Sequence, residues 1–207
     1  MDINYTVEKQ TELLHQFLEK FDSNNTTLVA NSMGGAIALE YVLKYKNIDS
    51  LVLIDAMGIK VEDSYVDKLG KKRIKEIWFD VCTKKQLKTL ISQGSQKTPY
   101  IPESVLEYLT QNKCKNAKIE RHKYYGILDK DLNVIVDLRK MAREVNIPTL
   151  IIWGKEDKLL SYKNAYAFAK NIKNSQLLIL DGIGHVPMIE APKEVSKSLL
   201  DFLEKNR

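Results

Sequence analysis

Four short, uninterrupted apolar runs punctuate the chain: Leu28-Val29-Ala30, Leu51-Val52-Leu53-Ile54, Leu150-Ile151-Ile152-Trp153 and Leu177-Leu178-Ile179-Leu180. None alternates polar with apolar, so each reads as a strand covered on both faces, the habit of parallel sheets. Between them the apolar positions fall at helical spacing. Val7, Leu14, Phe17, Leu18 and Phe21 share one face of a first helix. Ile37, Leu39, Tyr41, Val42 and Tyr45 mark a second; Ala165, Phe168, Ala169 and Ile172 a third; Val195, Leu199, Phe202 and Leu203 a fourth. Helices and strands therefore alternate as in a doubly wound α/β sheet. The stretch from Gly58 to Asn146 has no such strand runs. It reads as several helices punctuated by Gly94, Pro99, Pro102 and Gly126. Inserted between two strands, they are placed like a lid.

Composition narrows the class. The 207 residues are 44% hydrophobic and 29% charged, a globular profile. No apolar run reaches the length of a membrane span, roughly 18 residues. The net charge of +5 is unevenly spread. Residues 1–57 carry 4 Lys/Arg against 8 Asp/Glu, residues 58–146 carry 19 against 12, and residues 147–207 carry 9 against 7. This sets the middle apart as an insertion. Its Lys71-Lys72-Arg73-Ile74-Lys75 run has no interleaved aromatics and reads as a solvated helix face rather than a nucleic-acid site. Two cysteines, Cys82 and Cys114, are too few for a disulfide framework or a zinc site and are expected to be reduced or inert. No signal segment is visible at the N-terminus, and the expected location is cytoplasmic.

Three turns carry the chemistry. Ala30-Asn31-Ser32-Met33-Gly34-Gly35 joins a strand to a helix through small residues, the requirement for lifting one hydroxyl above a sheet edge. Ala30 and Gly34 are the small residues two before and two after the serine. Trp153-Gly154-Lys155-Glu156-Asp157 follows the third strand, and Asp181-Gly182-Ile183-Gly184-His185-Val186-Pro187 follows the fourth. Ser32, Asp157 and His185 thus fall just past strand C-termini, where an open parallel sheet presents its crevice. Asp55, after the second strand, competes with Asp157 for the acid position. His15 and His122 lack a small-residue turn to aim them and read as surface residues. Glu190 reads as a structural hydrogen-bonding residue.

With the serine turn, the string Ile147-Pro148-Thr149-Leu150-Ile151-Ile152-Trp153-Gly154-Lys155-Glu156-Asp157 and the string Gly184-His185-Val186-Pro187-Met188-Ile189-Glu190-Ala191-Pro192, the chain resembles the α/β-hydrolase superfamily. Within it the chain is most similar to monoacylglycerol lipases and bacterial carboxylesterases. The resemblance implies an α/β-hydrolase fold, a mainly parallel sheet with a helical cap at 58–146 and a core from 1–57 and 147–207. It implies a serine carboxylic-ester hydrolase with Ser32 as nucleophile, His185 as base, Asp157 as acid and the Met33 N–H as an oxyanion donor. It implies a small-molecule ester as substrate, and no cofactor, metal, nucleic acid or integral membrane segment. A carbon–carbon bond hydrolase or a catalytically silent remnant of the fold are the alternatives. The family places four strands before the first helix, with a His-Gly loop that supplies a second oxyanion donor; no His-Gly dipeptide occurs here. The resemblance therefore implies an N-terminally truncated fold. Its first strand would be an exposed edge open to homodimerisation, with low stability and weak turnover as consequences.

Overall fold

The computed structural model describes residues 5–21, 25–62, 68, 75–98, 100–127 and 138–206. The core elements are α1 (Val7–Leu18), β1 (Thr27–Asn31), α2 (Met33–Tyr45) and β2 (Ser50–Ile54). A π-helical turn (Lys75–Phe79), α3 (Lys84–Gly94), α4 (Glu103–Ile127) and α5 (Arg139–Ala142) follow. The chain then returns through β3 (Thr149–Gly154), α6 (Lys163–Asn171), β4 (Ser175–Leu180), α7 (Pro187–Glu190) and α8 (Pro192–Lys205). The basic run from Lys71 to Ile74 lies outside the described residues.

The four strands form one parallel sheet in the order β1-β2-β3-β4. Side chains alternate across it with the period of two that the pleat imposes. Leu51, Leu53, Ile151 and Trp153 join the core beneath α2 and α6, with Leu39, Tyr41 and Phe168. Val52, Ile54, Leu150 and Ile152 pack on the other face with Val195 and Phe202 of α8. Every residue of β2 and β3 is buried. Each buried aliphatic side chain of these two central strands contributes roughly 1.5–3 kcal/mol.

The flanking strands differ. Val29 of β1 is 53% exposed and Leu177 of β4 is 36% exposed, so the third residue of each outer strand lacks the two-sided cover its sequence suggests. Among the described residues β1 pairs on one side only, with β2. In α1 the Thr6 hydroxyl accepts from the Lys9 N–H, and Val7, Leu14 and Leu18 face the core. Phe17 and Phe21, expected on that face, are instead exposed and packed on each other at 4.9 Å. His15, read as a surface residue, is half-buried. It stacks on Tyr45 at 3.7 Å and meets the Tyr41 hydroxyl at 3.4 Å, because the turn of α1 brings it against α2.

The inserted helices begin where Gly58 turns at φ +129°, with Leu39 2.9 Å from where a Cβ would sit. Both ends of the insertion meet there: the Leu138 N–H donates to the Gly58 carbonyl at 2.6 Å. Leu138, Ala142 and Val145, read from sequence as cap, pack in the sheet's own core. α3 carries a reciprocal capping box between Thr83 and Gln86. α4 starts directly after Pro102 and runs through Gly126 instead of breaking there. Val81, Leu87 and Leu106 form the small cap core.

Cys82 and Cys114 are joined in a disulfide, which corrects the expectation that they are reduced and inert. Their separation of 32 in sequence carries no register; Cys82 lies just before α3 and Cys114 on α4.

Candidate functional site

The strand-to-helix turn at Ser32 is built by close backbone approach. Ser32 sits at φ 54° and ψ -123°. That conformation is rare for a residue with a side chain and is of the kind concentrated at functional sites. It is held there by the Ser32 N–H donating to the Ile54 carbonyl at 3.1 Å. The Ser32 carbonyl in turn accepts from Gly35 and Met57 at 2.9 and 2.8 Å. The critical small residue is Gly35: a Cβ there would lie 2.4 Å from the Ala56 Cβ. At Gly34 a Cβ would meet only Ala30 at 3.8 Å, an ordinary contact, so the tight constraint lies one residue later than the motif suggests. The Met33 N–H belongs to the first turn of α2, where amides have no partner within the helix.

Two further turns converge on the hydroxyl. Gly154 ends β3 against the His185 turn, and a Cβ there would fall 2.0 Å from the Gly184 carbonyl oxygen. The loop after it fixes Asp157. Its Oδ1 accepts from the Leu159 and Leu160 N–H groups at 2.8 and 3.0 Å. The Trp153 indole N–H donates to the Leu160 carbonyl at 3.3 Å and pins the same loop to the sheet. The last turn passes Gly182 at φ +72°, a left-handed position that glycine occupies freely. Gly184 and His185 follow, both buried.

The structure brings Ser32, Asp157 and His185 together. His185 Nδ1 is 2.7 Å from Asp157 Oδ2, and His185 Nε2 is 2.9 Å from Ser32 Oγ. The Asp157 side chain is fully buried and that of His185 nearly so. With the carboxylate accepting from Nδ1–H, Nε2 is left as the acceptor for the serine hydroxyl.

Two residues brace the turns around this line, Glu190 in the hydrogen-bonding role read from sequence and Asn31 beside the serine. Glu190 Oε1 accepts from the Gly184 N–H at 3.0 Å, while its Oε2 accepts from the Gln96 and Lys97 N–H groups at 2.7 and 2.9 Å. One carboxylate thus ties the histidine turn to the segment after α3. The His185 N–H adds a second tie by donating to the Gly94 carbonyl at 2.9 Å. Asn31, beside the serine, donates from Nδ2 to the Ile54 carbonyl at 3.0 Å and closes β1 onto β2 at the site's edge.

Asp55, the competing acid, does not touch the histidine by any hydrogen bond the structure shows. It is fully buried, with its backbone at positive φ. Its Oδ1 accepts from the Gly154 N–H at 2.9 Å, and no donor among the described residues meets its Oδ2. Burial pushes its carboxyl well above the usual carboxylate range. The Asp157 charge, a hydrogen bond shared with Asp157 and the more distant Glu190 add to this, against the opposing Gly154 N–H.

Asp55, Asp157 and His185 each offer a ligand atom within 4.8 Å of the others, a spacing a metal ion could span. Both nitrogens of His185 and both oxygens of Asp157 are already engaged by protein groups. The distances describe a hydrogen-bonded line from hydroxyl through imidazole to carboxylate. In the cap, a cleft of about 830 Å³ between α3 and α4 is lined by Lys88, Ile91, Tyr100, Ile101 and Leu106 and by none of these site residues.

A family model described as alpha/beta hydrolase fold matches residues 1–192. Lipase 3 of Moraxella sp. (strain TA144) is 30% identical over 211 residues, covering 99% of this chain and 65% of the lipase. The human monoacylglycerol lipase ABHD6 is 27% identical over 207 residues, covering 96% of this chain and 61% of its own length. The chain thus spans less than two-thirds of these curated relatives. The crystal structure of lip1 from Acinetobacter baumannii AYE superimposes with a TM-score of 0.88 at 26% identity, covering 100% of this chain and 71% of that one.

Proposed function

The chain belongs to the alpha/beta hydrolase fold family. On that premise we propose that it is a serine hydrolase of carboxylic esters, acting on monoacylglycerol-like or short to medium acyl esters. The observation that carries the reading is the unbroken line from Ser32 Oγ through the His185 ring to Asp157, with contacts of 2.9 and 2.7 Å. In the first half-reaction Ser32 Oγ attacks the ester carbonyl while His185 Nε2 takes its proton. Asp157 holds the ring tautomer and stabilises the imidazolium. The tetrahedral oxyanion is met by the Met33 N–H, and a donor of this kind is worth roughly 10²–10³ in kcat. His185 returns the proton to the leaving alcohol, and the acyl group stays on Ser32. Water, deprotonated by the same nitrogen, then releases the acid. The similarity to proteins named lipase and monoacylglycerol lipase supports an acyl ester as the substrate.

A panel of p-nitrophenyl esters of increasing chain length, a monoacylglycerol and a vinylogous diketone tests the reading. Ester turnover that disappears in Ser32→Ala is the expected result. Cleavage of the diketone with esters untouched would point to carbon–carbon bond hydrolysis, and inertness toward all three to a binding role.

A further inference from the structure

The second buried carboxyl beside the relay is unexplained by the mechanism above. Asp55 and Asp157 have oxygens within 4.8 Å of one another and of a His185 ring nitrogen, just past the strand ends, with all three side chains buried. Two ionised carboxylates at that separation in a water-poor site repel strongly, so one of them keeps a proton. The hydrogen-bond donors decide which. Asp157 receives three N–H groups, from Leu159, Leu160 and His185, all of which favour its anion. Asp55 receives one, from Gly154, and its Oδ2 faces no donor among the described residues. A buried oxygen without a partner is costly as an acceptor, but as O–H it becomes a donor, and the neighbouring anion is its natural acceptor. Asp55 sits at φ 42°, an unusual backbone whose strain is the cost of aiming its side chain there.

We propose that Asp55 is a positioning residue of the relay: it carries a proton on Oδ2 and donates it to the Asp157 carboxylate. Asp55 then touches neither substrate nor serine and acts through Asp157. By sharing its proton it disperses the Asp157 charge, limits how strongly that carboxylate holds the His185 proton, and keeps the imidazole neutral and ready to act as base. The charged and titratable groups facing it are Asp157, His185 and, further off, Glu190.

The inference rests on the relay assigned under the proposed function, but its first test needs no turnover. In the full chain labelled with ¹³C at the aspartate carboxyl, the Asp55 signal is identified by its loss in Asp55→Asn. A protonated carboxyl shift between pH 6 and 8 is expected; a carboxylate shift across that range overturns the proposal, whatever substrate the chain accepts. The kinetic test compares two variants. Asp55→Asn keeps an acceptor for Gly154 and a donor for Asp157, so kcat/KM stays within about threefold and its acid limb does not move. Asp55→Ala removes the donor, and the acid limb moves up by about half a pH unit or more. A loss of about 10⁴-fold in Asp55→Asn would instead make Asp55 an ionised acid and sink the proposal. Should Asp55→Ala not fold, the titration and Asp55→Asn still decide.

Discussion

The strand ends and the helical cap hold their shapes by different means. At the strand ends, glycines leave no room: a methyl group at Gly35 or Gly154 would fall 2.4 or 2.0 Å from a neighbouring atom. Backbone packed that closely fixes where Ser32, Asp157 and His185 point. In the cap, α3 and α4 share a small apolar cluster, a disulfide and exposed ion pairs such as Lys84–Glu103. Exposed pairs of that kind contribute little. The cap reaches the site through Glu190 and the Gly94–His185 hydrogen bond. The difference teaches that chemistry and access are built separately here, and that one carboxylate joins them.

The comparison predicts that damage at the strand ends is chemical and damage in the cap is structural. Asp157→Asn leaves the fold intact but removes the acceptor that fixes the His185 tautomer. We expect kcat to fall by about 10⁴ with an unchanged melting temperature. A fall below tenfold would pass the acid role to Asp55.

Cys82→Ser should do the opposite. The bond closes a loop across a sequence separation of 32. Opening a loop of that size costs about 3–4 kcal/mol in the chain-entropy account, read as an earlier thermal transition of the cap. Reactivity of Ser32 toward a small active-site probe should survive. If probe reactivity is lost in step with the cap, the two regions are not separable.

Glu190→Gln attacks the joint. A neutral amide meets three backbone N–H groups with one acceptor oxygen. That should cost about 2–3 kcal/mol in denaturant titrations and lower kcat as the histidine turn loosens. Lost stability with full kcat would mean that the tie serves the cap alone.

A further effect is a pH dependence. The Asp55 carboxyl is raised in the folded chain above its ordinary value of 3.8. The folded state therefore binds that proton more tightly than the unfolded state. Its contribution to stability is present at low pH and is lost as pH rises toward the folded value. Asp55→Asn lacks this dependence, so its melting temperature relative to wild type should climb between pH 4 and neutrality; a constant difference would contradict the shift.

Much of this was legible in the sequence. The strand at Leu28–Ala30 extends by one residue at each end to Thr27–Asn31, because an apolar run marks a strand's buried middle and not its polar limits. Ser32 and His185 stood out because each sits in a turn of small residues just past a strand, and Asp157 because it follows the third strand. Glu190 was visible as a hydrogen-bonding residue, but its three partners come from distant turns and could not be read. The role of Asp55 depends on how many donors Asp157 already has, a property of packing alone. The cysteine pair was hidden for the same reason: a separation of 32 carries no periodicity.

The central claim is that Ser32 is a nucleophile poised by His185 and Asp157. Treating the chain with a fluorophosphonate and mapping the modified peptide by mass spectrometry tests it most directly. One adduct per chain is expected, on Ser32, absent in Ser32→Ala and strongly slowed in His185→Ala. An adduct on another residue, or an unreactive wild-type chain that melts cooperatively, would contradict it.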